Sequence, residues 1–224
     1  MKTRTALTAC VLGLAFAATA GAWGIPSVPS SPISTSSSAD PDAFLDKAQR
    51  AEALTDKSVD YLYKAVASKE EQEKMEELRK KLNETTDDKE KNALRHQITE
   101  SEMATIEKRS KDKQTLEQAK KWDEQKKKYV ASSFYNLGLG SLQAAALVPE
   151  GASIASSIAS NPANAARMAF KLNAVKDSVK SLGGIVSNTA KVTAGLKPLM
   201  SAAKIETKSP SSATDSPKDA SDQI

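Results

Sequence analysis

Apolar residues recur every three or four positions along most of this chain, the spacing that gathers them on one face of a helix. From Asp42 to Leu82 neither Pro nor Gly interrupts a run carrying Phe44, Ala48, Ala51, Leu62 and Val66, continued by Met75, Leu78 and Leu82. Asp40 suits an N-cap, Pro41 the first helical position, and Asp42 the positive end of the helix dipole. The pattern predicts one helix of about 40 residues, about 60 Å long. Asn83 to Asp88 reads as a turn, with Thr85 or Thr86 capping the next helix. That second helix is predicted from Asp87 towards Asn136, its seam formed by Leu94, Ile98, Ile106, Leu116, Ala119, Trp122, Tyr129 and Val130. Two long helices joined by a short turn predict an antiparallel coiled-coil hairpin over residues 40–137.

The middle of that hairpin is very polar. Roughly half of residues 64–128 are charged, against a usual quarter. Glu70–Lys74, Glu76–Lys80, Glu77–Lys81, Glu107–Lys111, Asp123–Lys127 and Glu124–Lys128 are acid-before-base pairs four apart, each worth about 0.2–0.5 kcal/mol to a solvated helix. The hairpin is therefore expected to project as a charged stalk from an apolar base.

Between Lys128 and Arg167 the only charge is Glu150, and Ala, Ser, Gly and Leu dominate. Pro149-Glu150-Gly151 is a turn signal, so residues 130–160 read as an apolar helical hairpin. A further helix is expected to open at Asn161-Pro162, to turn Met168, Phe170, Leu172, Val175, Val179 and Leu182 inward, and to end at Gly183-Gly184. A last helix runs on to Ala203, kinked at Pro198. Residues 138–204 then complete a small helical bundle at the base of the stalk. The fold class predicted is all-α.

The two ends differ from this body. Lys2 and Arg4 precede an uncharged apolar run from Leu7 to Ala18, with small residues at Ala18, Ala20 and Ala22. Residues 1–22 thus read as a signal peptide of the bacterial secretory type, which predicts a periplasmic or secreted protein. Leu7-Thr8-Ala9-Cys10 resembles a lipoprotein acylation motif, but most of the apolar run comes after Cys10, and Cys10 is read as part of the signal. Residues 23–39 (Pro26, Pro29 and Pro32 among serines) and residues 205–224 carry too few apolar side chains to offset the entropy of ordering, and are expected as disordered linker and tail.

Removal of the signal would take away the single cysteine, and with it any disulfide, thiol nucleophile or thiolate ligand. It would also leave 30 Lys+Arg against 28 Asp+Glu, a net charge too small to mark a nucleic-acid-binding protein. His96 is the only histidine and lies in the charged stretch, where a water-excluding catalytic or zinc site is hard to build. Gly138-Leu139-Gly140 lacks the later glycine and preceding strand of a phosphate loop. No catalytic, cofactor-binding or metal-binding residue is assigned. The sequence supports an exported, non-enzymatic helical protein of the cell envelope that works through protein–protein contacts as scaffold, adaptor or chaperone-like factor. The seam leaves open closure within one chain or between two copies. Two other readings stand beside it: a membrane-active protein that inserts the apolar 130–160 hairpin, and an inhibitor or immunity-type binding protein.

Overall fold

A computed structural model describes residues 40–160 and 167–218. Among the described residues the fold is all-α, without a strand. Its helices are α1 (Pro41–Val66), α2 (Lys69–Glu84), α3 (Asp88–Ser110), α4 (Lys113–Ala119), α5 (Glu124–Ser160) and α6 (Ala169–Ala203). The signal peptide and linker expected over 1–39, and the Asn161-Pro162 start, lie outside the described residues.

Local caps set most of these boundaries. Asp40 accepts the backbone N–H of Asp42 at 2.9 Å and opens α1. The expected 40-residue rod stops at Ala67, where Ser68 and Glu71 form a reciprocal capping box and start α2. Asp87, rather than Thr85 or Thr86, caps α3 by accepting from the N–H of Glu90. The expected second rod is interrupted twice. Asp112 takes both the N–H and the hydroxyl of Thr115, and Asp123 takes the N–H of Lys126. Each of these side chains satisfies donors that an unbroken helix would have paired internally, so extended backbone at the cap becomes competitive with another helical residue.

The reversal between α2 and α3 falls at residues 85–87, inside the expected turn. The two helices run antiparallel beyond it, bridged by Lys81–Glu90, Arg79–Glu102 and Arg109–Glu71. The hairpin is shorter than the stalk predicted, because α2 turns back at Ala67. Tyr63 Oη donates to the Glu71 carbonyl, and Arg79 reaches Asp60 of α1. α3 lies parallel to α1, with Thr99 on Asp56 and Glu102 near Asp60. Of the six ion pairs expected, Glu70–Lys74 and Glu107–Lys111 close. Lys81 instead crosses to Glu90, and Lys127 pairs with Glu124 three residues away.

The second half departs further from expectation. Pro149-Glu150-Gly151 is not a turn, and residues 130–160 are not a hairpin: α5 runs through all three as one helix of 37 residues. It stays one helix because Leu137, Ala144, Leu147, Ile154 and Ile158 must share one buried face, antiparallel to α1 and α6. Pro149 itself is exposed. α6 likewise passes through Gly183-Gly184, since Leu182 on one side and Val192, Leu196 and Leu199 on the other are all buried. Phe170 falls off that stripe and is 87% exposed, against expectation.

Two apolar clusters form the core. One joins Val59, Leu62 and Tyr63 of α1 with Ile106, Ala119, Val130, Leu137, Leu196 and Leu199. The other joins Phe44, Ala48 and Ala51 with Ala144, Leu147, Ile154, Val175 and Leu182. Small residues let the helices meet closely. A Cβ at Gly140 would stand 2.4 Å from Thr55 Oγ1, and one at Gly151 would stand 2.4 Å from both Phe44 Cζ and Val179 Cγ2. At Gly183 a Cβ would meet nothing within 4 Å. Opposite outcomes are therefore expected in urea denaturation. Gly151→Val should lose about 2–3 kcal/mol by overpacking, whereas Gly183→Ala should gain about 0.5–1 kcal/mol by restricting the unfolded chain.

Candidate functional site

Two polar arrangements stand out from this apolar frame. The first is an ionic cleft of about 370 Å³ between α1, α2 and α3. Glu52, Asp56 and Asp60 recur every four residues on α1 and so share a face. Arg79 comes across from α2 to bond both Asp60 and Glu102. Thr99 Oγ1 donates to Asp56 at 3.1 Å, and Ser181 of α6 bonds Glu52. The Glu102 side chain is only 2% exposed. Burial pushes its carboxyl up to about 7, with Arg79 opposing the rise. Burial also raises Asp56, against the Thr99 bond, and Glu52, against the Ser181 bond. His96, expected as a surface histidine, is exposed beside this row.

Desolvation disfavours the charged form of Glu102, and the Arg79 guanidinium returns part of that loss. The arrangement is thus an ionic joint that fixes α2 and α3 on α1. Among the described residues no group of three or more His, Cys, Asp or Glu is placed to hold a metal ion.

A carboxyl raised in the folded state stabilises the fold when protonated. Its contribution is complete below the ordinary 4.5 and is lost as pH rises through about 7. Glu102 should therefore make the wild type less stable at pH 8 than at pH 5, by up to about 3 kcal/mol, and Asp56 and Glu52 act in the same direction. Denaturation curves across this window should show a flatter profile for Glu102→Gln.

The second arrangement is a groove on α5 that holds the chain's own C-terminal segment. Residues 205–218 are irregular, without a helix, in line with their Ser/Pro-rich composition, but through Lys218 they take a defined path against α5. The last six residues lie outside the described residues. Asn136 grips the peptide unit of Lys218 from both sides. Its Nδ2 donates to the Lys218 carbonyl and its Oδ1 accepts the Lys218 N–H, each at 2.7 Å. Gln143 Nε2 donates to the Ala213 carbonyl at 3.1 Å. Tyr135 Oη donates to Asp215 at 3.2 Å, while the Lys218 ammonium sits 4.1 Å from the centre of the Tyr135 ring. Buried Pro210 rests over Gly138, its Cδ 3.2 Å from where a Cβ would stand. Asp215 organises the segment from within by accepting the N–H groups of Ser211 and Ser212, and those bonds hold its carboxyl below the usual range.

Two side chains, Asn136 and Gln143, hold backbone and Gly138 seats a proline, while Tyr135 meets the side chains of Asp215 and Lys218; the held segment turns between Ser212 and Asp215. Gly138-Leu139-Gly140 acquires a structural meaning: one glycine seats Pro210 and the other seats Thr55. Sequence reasoning assigned no site residue and missed Tyr135, Asn136 and Gln143. The available signal was Asn136 and Gln143, seven residues apart and hence on one helical face, in an otherwise apolar and small-residue stretch.

Compared with known protein families, with characterised proteins and with solved structures, the chain matches none.

Proposed function

We propose that this chain is an exported, non-enzymatic envelope protein that acts as a scaffold or adaptor through protein–protein contacts, with the Tyr135–Gln143 face of α5 as its peptide-reading surface. The observation that carries this reading is the two-way bond from Asn136 to the Lys218 peptide unit. A side-chain amide placed to pair one N–H and one C=O lets a helix face hold a peptide by its main chain. The C-terminal segment is, on this view, an internal ligand. It occupies the groove until a partner presenting a similar Ser/Pro-rich irregular stretch displaces it. The tether gives the tail a high effective concentration, which sets a threshold for that exchange.

The export half of the proposal rests on Lys2, Arg4 and the apolar run from Leu7 to Ala18. The membrane-insertion alternative gains no support from α5, whose apolar positions are covered by α1 and α6. No helix among the described residues is long and apolar enough to cross a membrane.

The test uses a labelled peptide spanning residues 207–220 and a chain ending at Lys208. The truncated protein, checked for native helical content, should bind the peptide, and Asn136→Ala in the truncated chain should weaken binding at least tenfold. The full chain should bind it at least tenfold more weakly than the truncated one, because its own tail competes. A truncated protein that keeps its helices and leaves the peptide unbound would overturn the reading.

A further inference from the structure

The small net charge of the chain conceals a strong separation of charge. Residues 40–107 hold 12 Lys+Arg against 18 Asp+Glu, and residues 108–208 hold 17 against 7. By helix the excess of base is concentrated on α6, which holds five lysines against one acid, while α1, α2 and α3 hold 5, 6 and 5 acids against 4, 5 and 5 bases and α4 holds one of each. On α6, Lys176, Lys180, Lys191 and Lys197 are exposed, as is Lys204 just past its end, and Asp177 is the one acid within the helix. Helical spacing puts the four helical lysines on the solvent side of the helix, away from the buried stripe of Val175, Leu182, Leu196 and Ala203. Lys176, Lys180 and Lys204 make no ion pair among the described residues. Between them the exposed positions are small, namely Gly183, Ser187, Ala190, Ala194 and Ser201. The result is a flat floor with ammonium groups standing above it over about 42 Å.

The α4 corner adjoins α6. α4 packs on α6, and Gly195 of α6 lies beside Glu107 and Ser110 at the end of α3. Lys113, Lys121 and Lys128 are exposed there, next to half-buried Trp122, whose ring carries Lys126 at 4.9 Å. Phe170, 87% exposed, stands at the other end of α6.

We infer that this basic face of α6 and the α4 corner lays the protein flat on a membrane surface rich in anionic phospholipid headgroups. The inference goes beyond the peptide-reading proposal and does not depend on it. A headgroup layer is a planar, mobile array of phosphates, so it needs no pocket and no fixed donor geometry, and this face offers neither. Long lysine stems can lie along the interface while their ammoniums reach phosphate. Trp122 and Phe170 are suited to the headgroup boundary, where aromatic rings are favoured. Each lysine near an anionic surface strengthens binding several-fold, and added salt weakens it. A protein partner would instead be expected to read this face through buried or converging polar groups.

The test measures binding of the full chain to phosphatidylcholine vesicles with and without phosphatidylglycerol, at low and at raised salt. Any contribution of the N-terminal apolar run is common to both vesicle types, so the preference for phosphatidylglycerol reports on charge. The expected preference is at least tenfold, lost at raised salt. The combined variant Lys176→Gln, Lys180→Gln, Lys191→Gln, Lys204→Gln should lose it. A control removing four lysines from α2, Lys69→Gln, Lys74→Gln, Lys80→Gln, Lys81→Gln, should keep it, and circular dichroism confirms that both variants fold. Equal binding to both vesicle types overturns the inference. So does a preference that survives the α6 variant, or binding to duplex DNA in place of anionic vesicles.

Discussion

The fold depends on the close approach of α1, α5 and α6 across glycine and alanine. α5 lies antiparallel to its two neighbours and contributes to both apolar clusters. Where it meets α1, Gly140 faces Thr55 and Gly151 faces Phe44, with no room for a further carbon. Short side chains bury little area each, so the stabilisation comes from the number of atoms brought into contact at close range. This constraint explains why α5 tolerates Pro149. Breaking the helix there would turn Ile154 and Ile158 away from Phe44 and Val175, a greater loss than one missing helical hydrogen bond.

The same balance decides how far the sequence could be read. The all-α class, the Asp40-Pro41 start and the reversal before Asp87 were legible because each rests on strong local chemistry. The seam residues were legible as well: Leu94, Ile98, Ile106, Tyr129 and Val130 are buried as expected. Interruptions were not. Pro149 and Gly183-Gly184 look decisive in sequence yet are overridden by burial on either side. Ser68 and Asp112 look ordinary within a helix-forming run yet break it, since each finds a partner three residues on. Glycine and proline announce themselves by type. A cap is visible only as a relation between two positions, and its effect depends on whether the chain beyond gains by turning back.

Turning back is favoured here by Arg79. The α2 reversal at Ala67 brings this guanidinium between Asp60 and Glu102, two carboxylates on parallel helices that would otherwise face one another at close range. A continuous α1–α2 rod would leave Glu102 without that partner while α3 still packed on α1. The capping box and the buried ion pair therefore specify the same geometry from opposite ends, one locally and one across 23 residues of sequence. Agreement of this kind between local and long-range terms is what singles out one arrangement among several of similar helical content.

Net charge was the least informative number in the sequence, because a sum discards position. The excess of base is gathered on α6, and the α5 groove holding the C-terminal segment is built from neutral groups: Tyr135, Asn136, Gly138 and Gln143. A neutral groove holds no charge of its own that an exchange of occupant would leave unpaired in a low-dielectric region. The charged faces stay solvated and act at longer range. On the two proposals above, one surface would set where the molecule sits and another what it holds, and neither asks the small-residue core to rearrange. The core could not easily do so, since the contacts at Gly140 and Gly151 leave no slack for a helix to slide.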